Sequence, residues 1–74
     1  MAIIVGIDVG KHELEVAVRP GGEHWQVRND PTGIAALLER IRGRAIHLVV
    51  LEATGGYERA VAAALAAAQV PAGA

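Results

Sequence analysis

The feature that most constrains this chain is a short apolar run at its start, broken near its end by one carboxylate. Residues 3–9 read Ile-Ile-Val-Gly-Ile-Asp-Val, and their β-branched side chains predict a strand buried on both faces. Asp8 interrupts the run, and Gly10 and Lys11 then turn the chain. Burying an unpaired carboxylate costs on the order of several kcal/mol. Asp8 therefore needs a partner, either the backbone donors of the Gly10 turn, a cationic group or a metal ion.

A second apolar run, residues 46–52, repeats the pattern and closes on Glu52. A helix is predicted between the two runs, and a strand–helix–strand connection is almost always right-handed with parallel strands. If the first strand is central, Asp8 and Glu52 project together at the carboxyl-terminal edge, where open α/β sheets bind ligands. Neighbouring carboxylates repel unless a cation holds them, and Mg²⁺ and Mn²⁺ prefer such oxygen ligands. The pattern predicts a divalent metal site; the alternative for Glu52 is a cap on the following helix.

Two further strands lie between these runs. Residues 13–19 and residues 24–28 alternate apolar and polar side chains, as half-buried strands do. The intervening Pro20-Gly21-Gly22 is typical of a turn, because proline fixes φ and glycine adopts positive φ. Three strands joined by short turns indicate an antiparallel meander.

Two helices are marked by their start and stop signals. Residues 29–32, Asn-Asp-Pro-Thr, offer cap side chains and a proline suited to a first helical turn, and Gly43 ends this helix. Its apolar stripe consists of Ile34, Leu37, Leu38 and Ile41. The second, alanine-rich helix is predicted over residues 57–68, before Val70-Pro71. Residues 72–74 show no strand character, so the predicted order is β-β-β-α-β-α.

Composition limits the functions open to the chain. It has 74 residues, no cysteine and a formal net charge of −1. Neither a disulfide framework nor a thiolate metal site can form, and no apolar run approaches the roughly 20 residues that span a bilayer. With no signal peptide in the sequence, we expect one small cytoplasmic domain. A stand-alone nucleic-acid-binding protein is normally basic and often has aromatic residues that stack on bases, so the near-neutral charge and scarce aromatic residues argue against that function.

Three residues near the two acids are candidate nucleic-acid contacts. Lys11 could meet a phosphate, Tyr57 could stack on a nucleotide, and Thr54 lies in the loop that carries the Gly55-Gly56 pair. The alternatives are an exposed turn lysine, a tyrosine that anchors the helix and an ordinary loop. The histidines lack the spacing of metal ligands and are expected at the surface: His12, His24 and His47.

Three motifs together resemble one protein family. They are Val5-Gly-Ile-Asp-Val-Gly-Lys11, Asn29-Asp-Pro-Thr-Gly33 and Leu51-Glu-Ala-Thr-Gly-Gly-Tyr57. In this order they resemble the start of DEDD-type insertion-sequence transposases, the Piv/MooV invertase-like DNA recombinases. The N-terminal domain of that family is RuvC-like, with a ribonuclease-H fold. The resemblance covers the chain up to Val70, and the first motif alone would not be specific.

The resemblance implies a fold, a metal site and a reaction. The family's strand order is 3-2-1-4-5, so residues 1–74 are expected to form a partial α/β domain with a mixed sheet of order 3-2-1-4. Its four acids bind Mg²⁺ or Mn²⁺ for cleavage and transfer of DNA strands, and Asp8 and Glu52 match the first two. The other two acids, a further strand and a serine-bearing domain lie in later sequence. The implied intact enzyme acts on DNA, with a guide RNA in this family, and residues 1–74 alone are expected to be inactive.

Two other classes of function stay open. An actin-like or sugar-kinase-like module shares a similar first hairpin, in which residues 6–10 would approach nucleotide phosphates. Such modules do not usually carry a glutamate at the position of Glu52, followed by Ala-Thr-Gly-Gly-Tyr. The other possibility is a non-catalytic assembly fragment.

Assembly is predicted from what the helices leave uncovered. Right-handed crossovers place both helices on one face of the sheet. The opposite face keeps an apolar set, and the fourth strand is an edge whose interior has no charge or proline to prevent pairing. We therefore expect a homo-oligomer, formed through sheet faces or through this edge.

Overall fold

The computed structural model describes residues 2–53 and 55–73, which form one sheet and two helices. Thr54, a candidate contact, lies outside the described residues. The elements are β1 (Ile3–Val9), β2 (Glu13–Arg19), β3 (His24–Arg28), α1 (Pro31–Ile41), β4 (Ile46–Ala53), α2 (Arg59–Ala67) and β5 (Ala72–Gly73). Within these residues, neither helix has the length and apolarity needed to cross a membrane.

The sheet has the order β3-β2-β1-β4-β5, which confirms the predicted 3-2-1-4 arrangement and adds a strand. Strands β1 to β3 form the antiparallel meander, and β1 and β4 pair in parallel. The prediction that residues 72–74 lack strand character is wrong for Ala72 and Gly73, which pair in parallel with β4, and Ala74 lies outside the described residues. The Val49 N–H donates to the Pro71 carbonyl over 2.8 Å, which fastens the chain at the start of this pairing. This pairing is made by the backbone, and the small residues Ala72 and Gly73 show no alternation of apolar and polar side chains that would predict a strand.

The first helix begins and ends as its sequence predicts. Asp30 is the N-cap, its carboxylate accepts the Gly33 N–H over 2.7 Å, and Pro31 occupies the first turn. Arg42 is the C-cap and Gly43 follows it with φ 80°.

The second helix is shorter than predicted. It spans Arg59–Ala67, whereas residues 57 and 58 belong to the turn that leads into it. Tyr57 is therefore a loop residue and not the first residue of a helix. The preceding Gly55 and Gly56 both have positive φ, which keeps the chain turning before the helix can start.

The core lies between the two helices and one face of the sheet. This confirms that both helices cover the same face. Its buried members are Val5, Ile7, Val9, Leu14, Val16, Val18, Ile34, Leu37, Ile41, Val49, Leu51, Val61 and Leu65. Because side chains alternate along a strand, the residues between them on β1, β2 and β4 face away from both helices. That surface, here called the open face, carries half-buried Ile4, Leu48 and Val50 at its centre.

One register shift changes which residues of β4 reach the core. Ile3 pairs with Ile46 but Ile4 pairs with Leu48, so His47 is an extra residue on β4. Ile46 consequently packs against the core, although strict alternation would place it with Leu48 on the open face. Alternation in the sequence places Ile46, Leu48 and Val50 on one side of this strand, and that prediction is wrong for Ile46.

Candidate metal-binding edge of the sheet

Asp8 and Glu52 lie side by side on neighbouring strands. They are direct partners in the parallel register of β1 and β4, one residue before the last residue of each strand. Their neighbours Ile7 and Leu51 are buried on the helix side, so both carboxylates project from the open face. Adjacent strands are spaced by about 4.8 Å, which places the two side chains within reach of a common cation. The sequence-predicted adjacency of the two acids is thus present in the structure.

The expected burial of Asp8 is wrong. Asp8 and Glu52 are both exposed, and no charged side chain is buried within residues 2–53 and 55–73. The physical reason is that helices cover only one face, so a strand apolar on both sides still leaves one side in water. Desolvation is therefore no reason for Asp8 to need a partner. The reason for a cation is instead the repulsion between the neighbouring carboxylates of Asp8 and Glu52.

The competing roles for the two acids are not favoured by the hydrogen bonding around them. The Gly10 N–H donates to the Glu13 carbonyl over 2.9 Å, so this turn donor is already engaged away from Asp8. The N-cap position of α2 is Glu58, which lies six residues beyond Glu52. Glu52 is therefore not the residue that caps the following helix.

A third acid, Glu15, extends the pair into a row. Asp8 pairs with Glu15 across β1 and β2, and Glu15 pairs with Gln26 across β2 and β3. The Gln26 Nε2 donates to Glu15 Oε1 over 2.5 Å, and the His24 Nε2 lies 3.9 Å from Glu15 Oε2. Sequence reasoning placed Glu15 on the polar side of β2 but did not connect it with Asp8. The alternation of β2, combined with the short β1–β2 turn, was the signal that could have done so.

The row can offer oxygen ligands but is not a closed metal centre. Within residues 2–53 and 55–73, no three Asp, Glu or His side chains converge as a metal-binding group. Glu15 is turned toward Gln26, so Asp8 and Glu52 are the pair that faces a common space. Carboxylate oxygens fit a hard cation such as Mg²⁺ or Mn²⁺, which keeps several waters when protein ligands are few. The residues present thus fit one edge of a divalent metal site.

The loops beyond the two acids are tied together by Asn29. Its Nδ2 donates to the Gly10 carbonyl over 2.9 Å and to the Tyr57 carbonyl over 3.1 Å. Lys11 is exposed in the first of these loops, and Tyr57, 43% exposed, lies in the second. The Tyr57 ring packs on Gly55, since a Cβ there would lie 2.9 Å from its Cε2. Lys11 and Tyr57 are therefore both on the loops that flank the acid pair.

The strongest ion pairing lies at the other end of the sheet. Glu23 in the β2–β3 turn accepts from both terminal nitrogens of Arg44, one at 3.2 Å, and Arg40 lies over the Trp25 ring at 3.8 Å. The hydrogen bond from Arg44, followed by the charges of Arg44 and Arg40, lowers the pKa of the Glu23 carboxyl. These arginines serve the packing of α1 and the β2–β3 turn and do not neutralise the row of acids.

Comparison with known proteins identifies the fold. No protein-family model and no curated protein matches the chain. Among solved structures, RuvC of Thermus thermophilus superposes with a TM-score of 0.66 at 22% sequence identity. The match covers 95% of this chain and 59% of the RuvC chain, so this chain spans little more than half the length of RuvC. The shared architecture is a RuvC-like, ribonuclease-H-like fold.

Proposed function

We propose that residues 1–74 are the N-terminal part of the RuvC-like catalytic domain of a DEDD-type DNA transposase. The observation that carries the proposal is the direct pairing of Asp8 with Glu52 on the open face of the sheet. The three sequence motifs and the RuvC-like fold support the same assignment. In this proposal the remaining acids and a serine-bearing domain come from later sequence.

Asp8 and Glu52 would hold one side of a divalent metal site. Each contributes carboxylate oxygens from a strand of the sheet, so the distance between their backbones is set by strand spacing. The chemistry that a divalent ion held by Asp8 and Glu52 would supply is activation of an attacking oxygen and stabilisation of the leaving oxygen in strand cleavage. Exposure of both side chains leaves room for a phosphodiester and for ligands from elsewhere in the intact enzyme.

DNA, and a guide RNA in the intact enzyme, are the proposed partners. Lys11, Thr54 and Tyr57 are the proposed contacts: Lys11 and Tyr57 lie in the loops that follow β1 and β4, and Thr54 is proposed from its sequence motif alone. The formal charge of −1 means that these contacts must be supplemented by basic surface elsewhere for tight binding. Residues 1–74 alone should therefore bind duplex DNA weakly.

The same open face makes a homo-oligomer of this chain part of the proposal. Ile4, Leu48 and Val50 are half-buried there and do not belong to the core beneath the helices. Edge pairing through β4 is a poorer route than the sequence indicated, because Ala72 and Gly73 already occupy part of that edge. Packing of two open faces is therefore the favoured mode.

Titration with two ligands tests the proposed function against the nucleotide-binding alternative. Calorimetry should detect weak Mn²⁺ binding by the wild-type chain, lost in Asp8→Asn and in Glu52→Gln. Glu39→Gln is the matched control, because it removes the same charge from an exposed residue of α1, on the opposite side of the sheet from the acid pair. Binding of ATP with no Mn²⁺ binding of its own would favour an actin-like or sugar-kinase-like module and overturn the proposal.

A further inference from the structure

Asn29 occupies an unusual place in the chain, between the end of β3 and the N-cap of α1. It lies at the same end of the sheet as the acids, because Arg28 before it pairs with Glu13, the first residue of β2. Asp30, and not Asn29, caps the helix. The Asn29 side chain is therefore free of the capping role that its position in the sequence predicts.

Three hydrogen bonds join Asn29 to both loops that follow the acids. Its backbone N–H donates to the His12 carbonyl over 2.9 Å, and its Nδ2 reaches the Gly10 carbonyl over 2.9 Å. The second hydrogen of the same amide serves the Tyr57 carbonyl over 3.1 Å. A carboxamide nitrogen has two hydrogens, and here each holds a different loop.

Within residues 2–53 and 55–73, the hydrogen bonds that join the two loops all involve Asn29. Gly10 comes two residues after Asp8, and Tyr57 comes five residues after Glu52, beyond two glycines with positive φ. Glycine-rich backbone is permissive, so the path of residues 55–57 depends on what fixes its far end. The hydrogen bond from Asn29 to the Tyr57 carbonyl fixes that end of the loop. Because the same amide also binds the Gly10 carbonyl, Tyr57 is held relative to the turn that follows Asp8.

We propose that Asn29 is a positioning residue that couples the loop after Asp8 to the loop after Glu52 and so sets how the two carboxylates share one cation. This inference rests on the proposed metal-binding function. The hydrogen bonds that Asn29 donates go to loop carbonyls and not to the acids. Its effect passes through the backbone at Gly10 and Tyr57.

Two substitutions separate hydrogen bonding from shape. Asn29→Ala removes the side chain, whereas Asn29→Asp keeps the shape and supplies no hydrogen at neutral pH. Thr32→Ala is the matched control, because Thr32 is an exposed, uncharged polar residue three positions along the same segment. Cooperative unfolding of each variant in urea establishes that it is folded under the conditions used.

The first measurement is amide hydrogen exchange of the metal-free protein. The Asn29 amide supplies one hydrogen bond to each loop, so exchange at residues 10–12 and 55–58 should accelerate about fivefold when that bond is lost. Both Asn29 variants should show this, and Thr32→Ala should not. Unchanged exchange at both loops would overturn the coupling.

The second measurement is the broadening of amide NMR signals by Mn²⁺, which reports geometry and not only stability. In the wild type the signals of Asp8 and Glu52 should broaden together, and in Asn29→Ala the joint broadening should require several-fold more Mn²⁺. Equal titrations of the wild type and a folded Asn29→Ala, despite faster loop exchange, would reduce Asn29 to a structural role and refute the positioning proposal. If the wild type binds no Mn²⁺, the proposed function fails, and the loop coupling is decided by exchange alone.

Discussion

Replacing Gly33 by alanine should destabilise the protein, although helix propensity alone predicts the opposite. Gly33 lies in the first turn of α1 and is buried. A Cβ built there would lie 1.9 Å from the Arg28 carbonyl oxygen and 2.8 Å from the Arg28 backbone nitrogen. Ordinary contact begins near 3.4 Å, so the helix start and the end of β3 would have to separate by about 1.5 Å.

The change in the free energy of unfolding is the sum of three effects, two that destabilise the folded protein and one that stabilises it. Overpacking costs about 1–3 kcal/mol, and the upper half applies because the obstructing atoms are backbone. Separation also strains the 2.7 Å bond from the Gly33 N–H to Asp30, a cap worth about 1 kcal/mol. Alanine returns up to about 1 kcal/mol through helix propensity. The free energy of unfolding should therefore fall by about 2–3 kcal/mol.

Urea unfolding, followed by circular dichroism and by fluorescence of the single Trp25, measures this change. Gly73→Ala is the control, because Gly73 lies in β5 and a Cβ there meets no atom within 4 Å. That variant should be unchanged or more stable by up to about 1 kcal/mol. A Gly33→Ala protein as stable as the wild type would refute the close approach of α1 to β3.

Three further outcomes are expected. Because the pKa of Glu23 is lowered below its ordinary 4.5 by Arg44, its stabilising effect is complete above about pH 4.5 and is lost as the pH falls through the lower folded value. The gap in urea midpoint between the wild type and Glu23→Gln should therefore close in acid; a gap independent of pH would contradict this. With Mg²⁺ or Mn²⁺ the chain should neither nick nor join DNA, and gel shifts should vanish as salt rises; tight, salt-resistant binding would contradict the proposed fragment. Light scattering across a dilution series should show a homo-oligomer that Leu48→Lys dissociates, whereas a wild-type monomer at high concentration would exclude packing of open faces.

Local patterns were sufficient to predict much of the fold. The apolar run of β1, the alternation of β2 and the cap signals at Asp30 and Pro31 each act within one element, and the structure confirms them. A right-handed crossover through α1, together with a central β1, predicted that Asp8 lies beside Glu52, and the register confirms this pairing. These features depend on short-range sterics and on a general rule of chirality, so they can be predicted from a single sequence.

The remaining features depend on relations between elements. Asp8 is exposed because both helices pack on the other face of the sheet, and this cannot be predicted from the residues of β1 alone. The place of Glu15 beside Asp8 depends on the hairpin register, and the pairing of Ala72 with Val49 is made by the backbone alone. In the sequence Asn29 has the properties of a helix cap. Its hydrogen bonds to two loops that are distant in sequence are seen only in the structure.

The central claim, that Asp8 and Glu52 form one shared cation site, is tested most directly by locating a bound paramagnetic ion. Trace Mn²⁺ added to the isotope-labelled chain broadens amide signals according to their distance from the ion, and Mg²⁺ should reverse the effect by competition. The account predicts equal broadening around Asp8 and Glu52, abolished at both positions by either Asp8→Asn or Glu52→Gln. Broadening centred on Glu15 and His24, or at one of the two acids alone, would contradict it.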